Sequence, residues 1–321
     1  MNDMNLKICV LDGFAVNPGD LDWQPIAALG ELHLYDRTRP DEVLERAKGM
    51  DAVLLNKVVL GREHFDALPD LKYVGVLATG YNNVDVAEAA RRGIVVTNIP
   101  AYSTDSVVQL VFAHLLNIYV GVSGYSASVH RGDWTRSADF SYQLTPIHEL
   151  RGKAMGIVGL GHIGMAVAEI AHAFGMRVMA YTSKSGLPQW ITRCDLDHLF
   201  AAADVLSLHC PLTASTSGMV DTRRLGMMRP TAVLINTGRG QLVDEQALAD
   251  ALNSGRLMAA ALDVLSTEPP KADNPLLGAR NCYITPHVAW ATFEARSRLM
   301  EIAAENLRQF AGGMPVANRV S

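Results

Sequence analysis

A glycine-rich turn at residues 159–164 constrains this chain more than any other feature. Gly159-Leu160-Gly161-His162-Ile163-Gly164 reads G-x-G-x-x-G. It closes the apolar run Met155-Gly156-Ile157-Val158 and opens a helix-like stretch from Met165 to Phe174. Strand, tight turn and helix in that order is the setting in which the pattern carries meaning. Glycines let the backbone turn sharply and approach a pyrophosphate. The N–H groups and dipole of the following helix then favour its negative charge. Gly159, Gly161, His162, Ile163 and Gly164 are therefore the candidate dinucleotide-binding residues.

The next strand, Arg177-Val178-Met179-Ala180-Tyr181, qualifies that reading. An NAD site usually carries Asp or Glu at this strand's end, on the ribose hydroxyls. Here the strand runs into Thr182-Ser183-Lys184. Hydroxyls and a lysine suit a 2′-phosphate that a carboxylate would repel. The expected cofactor is NADP, with NAD at a relaxed site and Lys184 merely solvated as the alternative.

The rest of the chain repeats the alternation. Short apolar runs at 6–11, 32–35, 52–55, 73–77 and 94–97 read as buried strands, with a helix at 41–48. From Lys153 a second series begins, with strands at 154–159, 177–181, 205–209, 232–236, 259–264 and 282–285. Helices fall at 164–174, 196–202, 221–227 and 244–253. Strands alternating with crossover helices imply parallel sheets covered on both faces. A long helix is expected over 104–120, N-capped by Thr104-Asp105, with Val108, Val111, Phe112, Leu115 and Leu116 as its apolar stripe. Residues 129–150 read as irregular surface or interface material, and a last helix spans 293–310. The fold expected is α/β, with two doubly wound parallel-sheet domains.

Composition excludes several functions. A net charge of −5 lacks the basic footprint of a nucleic-acid binder. The four cysteines, Cys9, Cys194, Cys210 and Cys282, have no metal or redox spacing, so no metal site is expected. With no secretory leader and no long apolar span, a cytoplasmic enzyme without a membrane partner is expected.

Three polar residues follow late strands. Arg239 follows Leu234-Ile235-Asn236-Thr237-Gly238, Glu268 follows Leu262-Asp263-Val264, and His287 follows Tyr283-Ile284-Thr285-Pro286. Ligands of open α/β sheets bind beyond the carboxyl ends of strands, so all three can reach one cleft. Imidazole titrates near neutral pH, which suits His287 as acid in reduction and base in oxidation. Glu268 would orient its ring, and Arg239 offers a planar fork for a carboxylate and a carbonyl oxygen. Asn56 and Lys57, after an early strand, are candidates to line the same cleft. The plainer readings are a core histidine, a loop acid and a structural ion pair.

With these residues in view, the sequence resembles the D-isomer-specific 2-hydroxyacid dehydrogenase family. The matching stretches are Ala78-Thr79-Gly80-Tyr81-Asn82-Asn83-Val84-Asp85, the glycine turn, Leu208-His209-Cys210-Pro211-Leu212-Thr213, Asn236-Thr237-Gly238-Arg239-Gly240, Asp263-Val264 through Glu268-Pro269, and Pro286-His287. Phe140-Ser141-Tyr142 and Trp290 resemble most the glycerate dehydrogenase/hydroxypyruvate reductase branch. The resemblance implies reduction of a small 2-keto acid, hydroxypyruvate or glyoxylate, to the D-2-hydroxy acid, and the reverse. It implies that backbone N–H groups around Ala78, Thr79 and Gly80 hold the substrate carboxylate. It adds Val107, His209, Cys210, Pro211, Thr237, Gly238, Asp263 and Ala289 as cofactor neighbours. For Val107 simple packing is an equal reading, and His209 and Cys210 can be plain strand-end residues.

The resemblance further implies a discontinuous, flavodoxin-like substrate domain, 1–100 plus 288–321, and a Rossmann-type coenzyme domain, 101–287. The cleft between them would close on substrate. The helix at 104–120 and the loop at 134–142 are expected to build a two-fold homodimer. Gln109 stands where family members often have Glu, which touches a helix terminus rather than catalysis. Trp290 stands where glycine is common and should restrict the site to small substrates. Two other readings stay open. A dinucleotide-sensing binding protein would not need Arg239, Glu268 and His287 together. Formate enzymes usually carry Gln in place of Glu268, whereas phosphite enzymes keep the acid.

Overall fold

The computed structural model describes residues 6–321. The chain divides into two compact units, one formed by the residues up to Ser103 with Ala291–Ser321, the other by Thr104–Trp290.

In the first unit five strands form one parallel sheet: β1 (Leu6–Val10), β2 (Gly30–Leu34), β3 (Ala52–Leu55), β4 (Tyr73–Val76) and β5 (Val95–Thr97). Their order is β2-β1-β3-β4-β5. This is the flavodoxin-type winding, whose direction reverses between β1 and β3. The central strands are buried on both faces, which explains why Ala52–Leu55 and Tyr73–Val76 are runs without polar alternation. One face is closed by Val43, Phe65, Leu68 and Ala89, among others. The helix Phe293–Ala311 returns to this unit, where the rings of Phe310 and Tyr73 lie 4.9 Å apart. The tail beyond it runs beside β5, with Val320 N–H donating to Val96 O at 2.8 Å.

The second unit holds seven parallel strands: β6 (Ala154–Val158), β7 (Arg177–Tyr181), β8 (Ile191–Arg193), β9 (Val205–Leu208), β10 (Val233–Asn236), β11 (Ala259–Leu262) and β12 (Cys282–Ile284). Their order is β12-β11-β10-β9-β6-β7-β8, the Rossmann winding with its reversal between β6 and β9. Alternate side chains of one strand feed opposite cores. Leu234 joins the core beneath Phe200, Leu225 and Leu248. Val233 and Ile235 join the core beneath Val111, Leu115 and Val167. The helices Thr104–Val120 and His162–Ala173 cover this second face.

Both sheets are all-parallel, as the alternation of strands and helices implied. Strand β8 was not foreseen. It is three residues long and only Ile191 is buried, so it carries no apolar run. The helix Val122–His130 was also not read from the sequence. Its glycine and three serines dilute the periodic signal. Among the described residues no single helix is long and apolar enough to cross a membrane.

Phe200 is fully buried in the core of the second unit. Phe200→Ala should destabilise the protein by about 3–5 kcal/mol. A lowered denaturant midpoint at unchanged m-value would show this. An unchanged midpoint would contradict the packing.

Candidate active site

Each sheet builds its polar apparatus at the carboxyl ends of its strands. In the first unit Asp12 follows β1, across the reversal point from β3. Its carboxylate accepts from the N–H groups of Asn56 (2.7 Å), Lys57 (2.6 Å) and Val58 (3.2 Å). The Asn56 amide is occupied, donating to Leu77 O at 2.7 Å and so tying the end of β3 to that of β4. Asn56 is buried, whereas Lys57 is exposed. Beyond β4, the Thr79 hydroxyl donates to Ile99 O and Asn98 Nδ2 donates to Thr79 O, both at 2.8 Å. The segment is held through its oxygens. Among the described residues the N–H groups of Ala78, Thr79 and Gly80 donate no hydrogen bond. That leaves an unfilled row of donors suited to a carboxylate.

In the second unit the glycine turn lies at the reversal point. Gly159 has φ +92°, and a Cβ there would sit 2.7 Å from His209 O. A Cβ on Gly164 would sit 2.0 Å from Gly159 O, so only glycine lets the helix pack against the strand. Gly161 faces open space and caps the helix His162–Ala173 without a side-chain bond. These are the three separate tasks that a dinucleotide turn sets its glycines. The hydroxyl of Thr237 is buried with no hydrogen-bond partner among the described residues. The residues present therefore fit a bound dinucleotide, which His162, Ile163 and Gly164 would meet with free first-turn N–H groups.

After β7, Ser183 and Lys184 are exposed, and the Lys184 N–H donates to Thr182 Oγ1 at 3.1 Å. His209 turns its ring back onto Ser207 Oγ, at 2.8 Å. Burial pushes this imidazole down to about 4, so it is neutral at neutral pH. Its backbone, rather than its ring, lines the turn at Gly159. Cys210 is half-buried against Met219, and Pro211 is exposed. Val107 and Ala289 are both buried.

Around His287 and Glu268 the chain is tightly braced. Nδ1 of His287 lies 2.6 Å from Glu268 Oε2. A carboxylate only accepts, so Nδ1 carries the proton and Nε2 is the free nitrogen. Glu268 Oε1 accepts from Leu265 N–H at 3.0 Å, which fixes the acid. The Glu268-Pro269 peptide is cis. His287 has φ +55°, a region rare for a non-glycine residue. Its N–H is shared between Asp263 O (2.9 Å) and Thr285 O (3.0 Å). The Asp263 carboxylate, 1% exposed, accepts from Thr285 Oγ1 (2.6 Å), Val288 N–H (2.9 Å) and Ala289 N–H (2.8 Å).

Arg239 is exposed, with Nη1 donating to Gly238 O at 2.8 Å. Its turn is ordered by the Asn236 side chain, which accepts from Gly238 N–H and donates to Arg239 O. Gly240 then packs so closely on the Glu268 loop that a Cβ would sit 1.9 Å from the carbonyl carbon of Leu265. Glu245 clamps the same loop, accepting from Ser266 N–H (2.7 Å), Ser266 Oγ (2.9 Å) and Asn274 Nδ2 (2.9 Å). Glu268 and His287 thus meet directly, and Arg239 is brought alongside through backbone packing.

A family model described as D-isomer specific 2-hydroxyacid dehydrogenase, NAD binding domain, matches residues 112–289. The chain belongs to this family. It is an NAD(P)-dependent D-2-hydroxyacid dehydrogenase. Among its relatives is a hydroxypyruvate reductase of Blautia hydrogenotrophica, 48% identical over 97% of this chain and 98% of the relative. A glycerate dehydrogenase of Methylorubrum extorquens is 39% identical over 89% of this chain and 90% of the relative. A solved NADPH-dependent glyoxylate/hydroxypyruvate reductase from Sinorhizobium meliloti, in complex with NADP and malonate, superposes with a TM-score of 0.83. That pair is 30% identical, covering 99% of this chain and 97% of the other. A D-lactate dehydrogenase with NAD+ from Lactobacillus jensenii superposes with a TM-score of 0.82 at 28% identity, covering 98% of this chain and all of the other.

Sequence reasoning missed Asp12, Asn236, Glu245, Thr285 and also His114, whose Nε2 lies 3.2 Å from Thr285 Oγ1. The available signal was positional, since Asp12, Asn236 and Thr285 each stand at the end of an apolar strand.

Gly240→Ala would force the Arg239 turn away from the Glu268 loop. A displacement of this kind should lower kcat by about a hundredfold. Steady-state kinetics, with dinucleotide affinity measured by fluorescence as control, would detect it. Wild-type kcat would contradict the close contact.

Proposed function

We propose that the protein reduces a small 2-keto acid, hydroxypyruvate or glyoxylate, to the D-2-hydroxy acid with NADPH, and catalyses the reverse oxidation. The observation that carries this reading is the His287–Glu268 pair at 2.6 Å, with Nε2 of the ring left free.

A bound dinucleotide supplies the hydride. The protein must then manage the charge that builds on the substrate oxygen. His287 is assigned as the acid that protonates this oxygen from Nε2, and as the base in the oxidation. Glu268 holds the Nδ1 tautomer and stabilises the positive charge of the ring while it carries the second proton. Arg239, whose fork is exposed, is assigned to the carbonyl oxygen and carboxylate of the substrate. In the first unit, the open N–H groups of Ala78, Thr79 and Gly80 and the exposed Lys57 are assigned to the substrate carboxylate. Buried Asn56 acts through its backbone fixing of that strand end.

For the cofactor, Gly159, Gly161, His162, Ile163 and Gly164 are assigned to the pyrophosphate. Thr182, Ser183 and Lys184 are assigned to a 2′-phosphate, since no carboxylate stands at the end of β7. Thr237 and Gly238, with Val107, Asp263, Ala289 and the His209-Cys210-Pro211 segment, are assigned to the remainder. The NADPH-dependent relative from Sinorhizobium meliloti supports this preference. Trp290, half-buried directly after Ala289, supports a small substrate over an aromatic one. Leu116, Val122, Val129, Trp134, Leu144 and the 90%-exposed Phe140 present apolar surface that a two-fold homodimer would cover.

Oxidation of NADPH and NADH should be followed with hydroxypyruvate, glyoxylate, pyruvate and phenylpyruvate, using His287→Ala as control. We expect turnover of the two small keto acids with NADPH, abolished in the variant. A clear NADH preference would remove the 2′-phosphate assignment. Equal activity on phenylpyruvate would remove the role of Trp290. Dinucleotide binding without turnover on any substrate would favour a binding protein instead. Light scattering should give twice the monomer mass, and Phe140→Asp with Val122→Asp should shift it toward the monomer. A monomeric wild type would overturn the dimer.

A further inference from the structure

The long helix Thr104–Val120 carries an imidazole where its buried stripe otherwise holds Val111, Leu115 and other packing residues. His114 is 7% exposed, and its Nε2 lies 3.2 Å from Thr285 Oγ1. The Thr285 hydroxyl has one proton, and the Asp263 carboxylate, 2.6 Å away, can only accept it. The hydroxyl must therefore accept from His114 Nε2–H, which fixes the tautomer. Burial lowers the affinity of this ring for a second proton, and Asp263 opposes that only in part. A neutral imidazole with one N–H is what the chain of bonds requires.

The chain ends at the reacting residue. Asp263 holds the N–H groups of Val288 and Ala289, which directly follow His287. On the same helix, two turns earlier, the Ser106 hydroxyl donates to Ala289 O at 2.5 Å. The turn is thus gripped at its N–H groups by Asp263, at the end of β11, and at a carbonyl by Ser106 of the helix. His287 itself has φ +55°, which a non-glycine residue keeps only when its surroundings impose it.

We infer that His114, acting through Thr285 and Asp263, is a positioning residue that holds the His287–Ala289 turn in register for proton transfer. The helix packing alone would be satisfied by leucine at this place. The donor is needed because without it Thr285 can turn its hydroxyl away from Asp263. The carboxylate then loses the bond that sets its angle to the turn. The inference rests on the assignment of His287 as acid and base.

The test compares His114→Leu and Thr285→Val, which remove the donor and the relay, with His114→Gln and Thr285→Ser, which keep them. Each variant is assayed with hydroxypyruvate and NADPH, together with dinucleotide affinity and thermal midpoint. His114→Leu and Thr285→Val should lower kcat about tenfold, with KM within about twofold and any loss of dinucleotide affinity smaller than the loss of kcat. His114→Gln and Thr285→Ser should recover most of the rate, and the Leu/Val double variant should be no slower than Thr285→Val alone. Wild-type kcat in His114→Leu would overturn the relay, as would an equal loss in His114→Gln. If His114→Leu does not fold, the contrast between Thr285→Val and Thr285→Ser decides in the same way. His287→Ala separates the two ideas. Activity surviving in His287→Ala removes the assignment of the acid, whereas its loss beside a fast His114→Leu removes only the relay.

Discussion

A carboxylate that accepts main-chain N–H groups, buried in the second unit and partly buried in the first, organises the polar end of each. Asp263, at the end of β11, gathers Thr285, Val288 and Ala289. Asp12, beyond β1, gathers Asn56, Lys57 and Val58. Parallel sheets buried on both faces leave little other place for such groups, because central strands such as Ala52–Leu55 and Ala259–Leu262 are apolar along their length. At the carboxyl ends the chain must leave the sheet, and its freed N–H groups need acceptors. A carboxylate supplies them at fixed positions, so the following residues inherit their placement. His287 is held by this arrangement in the second unit, and the Asn56-Lys57 segment in the first.

Close approach is the second constraint, and glycine is its means. At Gly164 and Gly240 a single added carbon would fall about 2 Å from a neighbouring backbone atom. The first contact seats the helix His162–Ala173 on its strand. The second seats the Arg239 turn on the loop that carries Glu268. Gly161 differs, since its missing side chain leaves open space. The same residue type thus serves packing at two positions and leaves open space at another.

How much of this was legible follows from where each signal lies. Both parallel sheets could be read because buried strands such as Val233–Asn236 and Ala52–Leu55 are continuous apolar runs. The long helix was legible from its stripe and its Thr104-Asp105 start. Strand β8 was not, because three residues with one buried side chain make no run. Glu268 and His287 stood out as polar residues after late strands, and their contact is direct. Asp12, Glu245 and Thr285 did not, because their partners are backbone groups or residues distant in sequence. His114 carries no signal of its own in the sequence, as a single polar residue among apolar neighbours. Only the tertiary contact with Thr285, 171 positions away, gives it a partner.

The histidines at the carboxyl ends of the second sheet divide by environment. His209 is enclosed and bonded to a serine hydroxyl, so burial holds it neutral down to a pH of about 4. His114 is buried too, and meets a carboxylate only through the intervening threonine, so its ring is also kept uncharged. Both can serve as fixed donors or acceptors, and neither is suited to gain and lose a proton in each catalytic cycle. His287 alone of the three touches a carboxylate directly, and its side chain is 31% exposed. The proton transfer proposed for His287 thus falls on the one of these rings that a carboxylate holds directly, and the neutral rings are left to brace the frame around it.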